Sequence, residues 1–421
     1  MIKKIKKIFH EDTFYKDLFI TFGGQILVMI LSFVLNKIIS NQYSISDFGV
    51  YNLAKRFASV ITFVMLMAMG IAIPKYVAEA KAKKNKSLME SYMRNGLKII
   101  ILMFVLLTVI LLIKKELWAK FIFGTVELHN LIIILSFYSL GNCLITYAYS
   151  FYRGIDDFIK YTIINLILQI IFIVSAIFVR DNLNKLYMLW SICAVIYGMC
   201  EIFIIYRKNN FSLRTCNGDS QSFNDLFVYS LPRVPGEFIL FAYTLVPLTI
   251  ISNKFGNLQV GYFSAALSIN SLITPLFSLV GTILLPLVSG SRFNNNEDEV
   301  NKKIKVLGYI YIGVSVLVIA FVYLLGKPLL TLLFNSEYTK SFDIVKIMII
   351  SIIPNAYYLL LRNPLDGKSK FPYNTICLII SFIIYIILLL LSSSVKMCAY
   401  ATIVAYTILG VLSLICWNKI K

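Results

Sequence analysis

The chain has 421 residues, 59% of them hydrophobic, and a mean hydropathy of +0.79. Water-soluble domains are ~45–50% apolar, so an ordinary soluble globular protein is excluded. A formal net charge of +19 would suit nucleic acid, but the cations follow membrane topology and argue against that partner.

Twelve apolar runs are long enough to cross a hydrocarbon layer of ~30 Å. They lie at about 17–40, 49–73, 97–113, 130–151, 159–179, 186–206, 226–251, 258–286, 306–326, 342–362, 373–392 and 397–417. Unpaired backbone is costly in lipid, and the runs are too long for barrel strands, so they predict an all-α integral membrane protein. The first run is too long for a cleavable signal and lacks a small-residue cleavage site. With the N-terminus inside, 26 Lys/Arg fall on inner segments and nine on outer loops. Five more (Lys37, Lys55, Arg56, Arg233, Lys346) fall within spans. This bias holds along the whole chain and predicts both termini in the cytoplasm.

The first span carries a polar stripe of Thr21, Gln25, Ser32 and Asn36, whose spacing keeps them on one helical face. A short outer loop containing Asp47 leads into the second span. There Asn52, Arg56 and Ser59 form a second stripe with Lys55 at its border, and Pro74 is expected to end the span. The sixth span brings Glu201, and segment 207–224, rich in Asn, Ser, Gly, Asp and Gln, reads as a cytoplasmic linker. The seventh run contains the stretch YSLPRVPGE at 229–237. Pro232, Pro235 and Gly236 should bend the helix there, between the two charges of Arg233 and Glu237. Charges at that depth usually face water or a bundle interior. Arg233 and Glu237 also have a packing reading, as an i,i+4 pair that neutralises itself.

The layout recurs half a chain later. With an offset of 212, Gly49 matches Gly261, Ser59 matches Ser271 and Pro74 matches Pro286. With an offset of 208, residues 17–19 match 225–227. Six spans per half give a parallel repeat: a six-helix lobe at 1–206, the linker at 207–224, and a second lobe at 225–421, around a central cavity. The polar stripes fall at equivalent positions, with Tyr229, Arg233, Ser264 and Ser268 in the second half. Ser and Thr can also satisfy themselves on their own helix; four matched stripes favour a hydrated cavity.

Arg56 and Arg233 reach similar depth from opposite sides of the membrane. Two such guanidiniums can clamp phosphate or pyrophosphate oxygens. The expected binding set is Arg56, Arg233, Lys55, Gln25, Asn52, Ser59, Tyr229 and Ser268. Glu237, Asp47 and Glu201 are the carboxylates available for ion coupling. The seven cysteines and two histidines are scattered without metal spacing, so no metal is expected. The outer loops are under about twenty residues and hold no paired carboxylates or nucleophile constellation, which argues against an enzyme.

The DFGVY turn at 47–51, GIAIP at 70–74, GYFS at 261–264 and DGK at 366–368 resemble oligosaccharide-unit flippases. These are the Wzx-type members of the multidrug/oligosaccharidyl-lipid/polysaccharide exporter superfamily. The resemblance runs over essentially the whole chain. It implies twelve helices in two lobes of MATE-like fold, alternating access, and a bacterial inner-membrane location. It implies export of undecaprenyl-pyrophosphate-linked repeat units for O-antigen (lipopolysaccharide), capsule or related polymers. The partners it implies are the lipid-linked oligosaccharide, membrane lipids, and polysaccharide polymerase and chain-length machinery. It implies no cofactor beyond coupling to H⁺ or Na⁺. Two alternatives stay open: an ion-coupled small-molecule antiporter, whose cation pocket should be acidic, and a lipid II flippase, which usually has fourteen spans.

Overall fold

A computed structural model describes residues 13–180, 182–212, 219–231, 234–291, 297–369 and 371–420. Among them there is no strand. The helices are α1 (Thr13–Gln42), α2 (Ile45–Leu66), α3 (Met69–Ala82), α4 (Lys86–Ile113), α5 (Lys115–Phe123), α6 (His129–Gly154), α7 (Phe158–Phe178), α8 (Leu183–Asn209) and α9 (Asp219–Ser230). They continue as α10 (Val234–Phe255), α11 (Asn257–Ser291), α12 (Glu297–Leu333), α13 (Phe342–Met348), α14 (Ile352–Lys368), α15 (Tyr373–Leu391) and α16 (Val395–Ile420). Eleven segments among the described residues are long and apolar enough to cross a membrane. The remaining expected run, 258–286, lies inside the 35-residue α11. Large apolar side chains stand in the open, such as Leu102 at 61%, Leu317 at 71% and Leu324 at 80% exposure. Exposure of that kind fits lipid rather than water as the surrounding solvent.

The second span departs from the single helix expected. It breaks at Met67 and Ala68, which take φ of 48° and 56°, and restarts as α3. Pro74 therefore does not end the span but sits inside α3. The left-handed pair has already interrupted the backbone ladder six residues before α3 reaches Pro74. The seventh run is likewise divided: α9 ends at Ser230 and α10 starts at Val234. Pro235, second in α10, occupies a first-turn position where its missing N–H costs nothing.

By internal contacts the chain falls into two compact units. The first comprises Met1–Tyr43 and Ala54–Phe238; the second comprises Ser44–Leu53 and Ile239–Lys421. In the first unit α6 packs along α8, and α1 along α7. The described ends of segment 207–224 are bonded into this unit. Buried Arg94 donates to the Ser212 carbonyl at 3.2 Å and to Glu90 at 3.3 Å. Ser222 meets Ser91 and Asn95 at 2.6 and 2.7 Å, and Tyr92 donates to the Asp225 carboxylate at 3.1 Å.

The second unit is built on α11, α14, α15 and α16. Its interior is tied by hydroxyls: Tyr243 donates to Ser381 at 2.5 Å, Ser381 to the Ala405 carbonyl at 2.6 Å, and Tyr385 meets Thr402 at 2.9 Å. The N-terminal end of α2 also belongs to it. Phe48 packs edge-on against Phe334 and Tyr338, with ring centroids 5.6 and 5.2 Å apart. A Cβ added at Gly49 would collide with the Asn257 carbonyl oxygen, and one at Gly261 with that of Ile45. The 212-residue offset carries Ile45 to Asn257 and Gly49 to Gly261, so this close helix crossing maps onto itself under the internal repeat.

Candidate substrate-binding face

Within the membrane, α2 buries Ala54, Phe57, Ala58 and Ile61. On that side Ser139 and Cys143 of α6 donate to the Ala58 and Thr62 carbonyls at 3.1 and 3.2 Å. Lys55, Arg56, Ser59, Val60 and Phe63 stay half-buried and form a stripe along another side. Arg56 lies roughly 16 Å from the start of α2 at ~1.5 Å per residue, about the middle of a hydrocarbon layer. Two adjacent cations in a medium of low dielectric repel each other and favour an anion beside them. Ser59 gives its hydroxyl to the Lys55 carbonyl at 2.9 Å. Its oxygen lone pairs remain available on the same stripe.

The other expected residues take varied positions. Asn52 is buried and donates to the Phe48 carbonyl of its own helix at 2.9 Å. Gln25 is exposed and reaches the Tyr161 hydroxyl at 3.3 Å. Ser268 is buried and closes on the Ser264 carbonyl at 2.9 Å, while Ser271 closes on Ser268 at 2.9 Å. The self-satisfied reading therefore describes that stripe better than a wet face does. Arg233 and Pro232 lie outside the described residues, as do the side chains of Gly236 and Glu237.

Among the carboxylates, Asp47 accepts from the Ser44 hydroxyl at 2.7 Å, and its own N–H donates back to that oxygen at 3.1 Å. The pair caps the first turn of α2. Glu201 is half-buried beside Tyr197, in the field of Lys208 and Lys160.

Tyr229 belongs to a cluster that sequence spacing did not reveal. The Lys75 ammonium stands 4.1 Å from its ring centroid and 4.9 Å from that of Tyr76. Tyr76 packs against Tyr92 at 4.7 Å and donates to the Asp225 carbonyl at 3.2 Å. A cation over two tyrosine faces offers both charge and a stacking surface. The partners lie about 150 residues apart in sequence, so no local pattern announces them. Among the described residues no group of three or more His, Cys, Asp or Glu could hold a metal.

A family model described as polysaccharide biosynthesis protein matches residues 14–292, and one described as MatE matches 236–391. The capsular polysaccharide biosynthesis protein CapF of Staphylococcus aureus is 22% identical over 376 residues, covering 88% of this chain and 90% of that one. The inward-facing conformation of a multidrug resistance MATE family transporter of the MOP superfamily matches with a TM-score of 0.79 at 12% identity, over 93% of this chain and 94% of that one. The lipid II flippase MurJ, in an inward closed conformation, matches with a TM-score of 0.70 at 17% identity, over 96% and 87% of the two chains. At these identities the two structural likenesses concern the fold.

Proposed function

Because the chain belongs to the polysaccharide biosynthesis protein family of the multidrug/oligosaccharidyl-lipid/polysaccharide exporter superfamily, we propose that it is a flippase for lipid-linked oligosaccharide repeat units. On this reading it moves undecaprenyl-pyrophosphate-linked units from the cytoplasmic to the outer leaflet of the bacterial inner membrane by alternating access. The capsule-related name of the S. aureus relative inclines the polymer toward capsule over O-antigen. The observation that carries the reading is the half-buried stripe of Lys55, Arg56 and Ser59 in the middle of a span. A cationic stripe suits a pyrophosphate and is the wrong sign for a cationic drug.

Transport of this kind makes and breaks no covalent bond, and no residue acts as nucleophile or general acid. Arg56 binds pyrophosphate oxygens, Lys55 adds charge, and Arg233 is proposed as the second guanidinium of the clamp. The sugars cross on polar and tyrosine surfaces while the prenyl tail stays in lipid. Asp47 is engaged as a helix cap, so Glu201 and Glu237 are the carboxylates left for H⁺ or Na⁺ coupling.

The test is flipping in proteoliposomes loaded with a lipid-linked oligosaccharide. Arg56→Ala should slow flipping by roughly 10- to 100-fold, since a hydrogen bond to a charged group contributes ~1.5–3 kcal/mol. Arg56→Lys should recover part of the rate, because a point charge lacks the planar fork. An unchanged rate in Arg56→Ala would remove the clamp. The MatE match at 236–391 supports a second reading, antiport of a small organic cation. Uptake of a fluorescent organic cation against an imposed ion gradient distinguishes the two.

A further inference from the structure

On the outer side assigned by the charge bias, the second unit holds a pocket of about 580 Å³ whose lining includes Lys340, Lys396, Asp343, Gln259, Tyr262 and Ser393. It draws on all three outer connections of this half: the one after α10, the one between α12 and α13, and the one between α15 and α16. Asp343 is the one carboxylate in its lining, and it is shared: Lys396 lies 3.2 Å and Lys346 3.3 Å from its oxygens. Lys340 has no carboxylate partner among the described residues. The lining thus holds two ammonium groups and one carboxylate, a net positive charge, and that carboxylate is shared with Lys346 outside the lining. The paired groups are 38–62% exposed, so water screens the ion pairs and an incoming anion can compete for the lysines.

The chemistry goes beyond charge. Gln259, Tyr262 and Ser393 supply amide and hydroxyl groups, while Phe255 and Ile344 give the pocket an apolar wall. Tyr262 is braced edge-on against Tyr338, with ring centroids 6.4 Å apart. Lys254 is not available to a ligand, because it caps the carbonyls of Leu390 and Ser392. Outer loops of membrane proteins are ordinarily poor in lysine. Here two of the lysines assigned to the outer loops of this half, Lys340 and Lys396, come together in the lining of one concavity.

We propose that this pocket is a binding site for a lipid-borne phosphate in the outer leaflet, with Lys340 and Lys396 as its cationic ligands and the polar groups receiving the attached hydroxyl-rich headgroup. It rests on the flippase reading for one of its two sources. The phosphate belongs either to the exported prenyl-pyrophosphate carrier, held on arrival, or to an anionic phospholipid of the membrane.

The experiment is lysine-reactivity footprinting of the full chain in maltoside micelles, read by mass spectrometry with a water-soluble acylating reagent. Undecaprenyl pyrophosphate and phosphatidylglycerol are added separately. At least one should slow acylation of Lys340 and Lys396 about fivefold or more, while Lys120 and Lys185 keep their rates. Lys340→Ala combined with Lys396→Ala should weaken binding of the protecting lipid about tenfold, and Asp343→Asn should tighten it. Protection by the pyrophosphate alone ties the pocket to export, and protection by phosphatidylglycerol alone makes it a membrane-lipid site. Equal acylation with and without both lipids, or affinity indifferent to the lysines and to Asp343, overturns the pocket. The flipping assay judges transport separately, so failure of one does not pass for failure of the other.

Discussion

At the residue scale, Arg56 and Ala68 show what a sequence reveals and what it hides. Arg56 was legible because a guanidinium amid apolar neighbours is expensive unless something needs it. The structure places it on a half-buried stripe of α2. Ala68 gave no signal at all. No glycine or proline marks the break, yet both Met67 and Ala68 adopt left-handed backbone while almost fully buried. A side chain in that conformation costs about 1–2 kcal/mol per residue. Ala68→Gly should therefore stabilise the protein by about 0.5–1 kcal/mol, after allowing for glycine's greater freedom in the unfolded chain. Ala68→Val, β-branched and forced to the same φ, should destabilise by about 1–2 kcal/mol. Thermal unfolding in detergent checks both signs. If the two variants melt alike, backbone strain is not what distinguishes this position.

Among elements, the internal repeat was the most informative feature of the sequence, and it led somewhere unforeseen. The offset that aligns Gly49 with Gly261 was read only as evidence of two similar halves. In the structure those glycines meet, each lodged against a carbonyl of the other's helix. Small residues let helix backbones approach closely where lipid gives no hydrophobic drive for association. Gly49→Ala and Gly261→Ala should each cost about 1–3 kcal/mol, because the added methyl meets backbone instead of a flexible side chain. The double variant should cost less than the two single losses together, since the first methyl already separates the helices that the second would strike. Strict additivity in thermal or denaturant unfolding would mean the two positions do not share one contact. What the sequence hid was the first half of α9, residues 219–224, which composition assigned to a linker. A run of polar linker composition ends in a helix docked through Ser222 and Asp225 on α4, and only its partners 127 to 133 residues away explain why it folds back.

Over the whole molecule, orientation decides which side each site faces, and charge is what sets it. The inner segments are assigned 26 Lys/Arg against nine for the outer loops, and the excess is spread over every inner segment. Each cation near an anionic cytoplasmic surface contributes on the order of 1 kcal/mol. Losing one cluster should therefore leave the rest able to hold the topology. A green fluorescent protein fused after Lys421 should fluoresce, and alkaline phosphatase inserted after Lys396 should be active, as periplasmic or external placement requires. Replacing Lys3, Lys4, Lys6, Lys7 and Lys16 with Gln should change neither result. The opposite reporter pattern in the parent chain would put the Lys340–Lys396 pocket on the cytoplasmic side. A phosphate site there would meet carriers before transport, and its place as a point of arrival would be lost even if Arg56 were still needed for flipping.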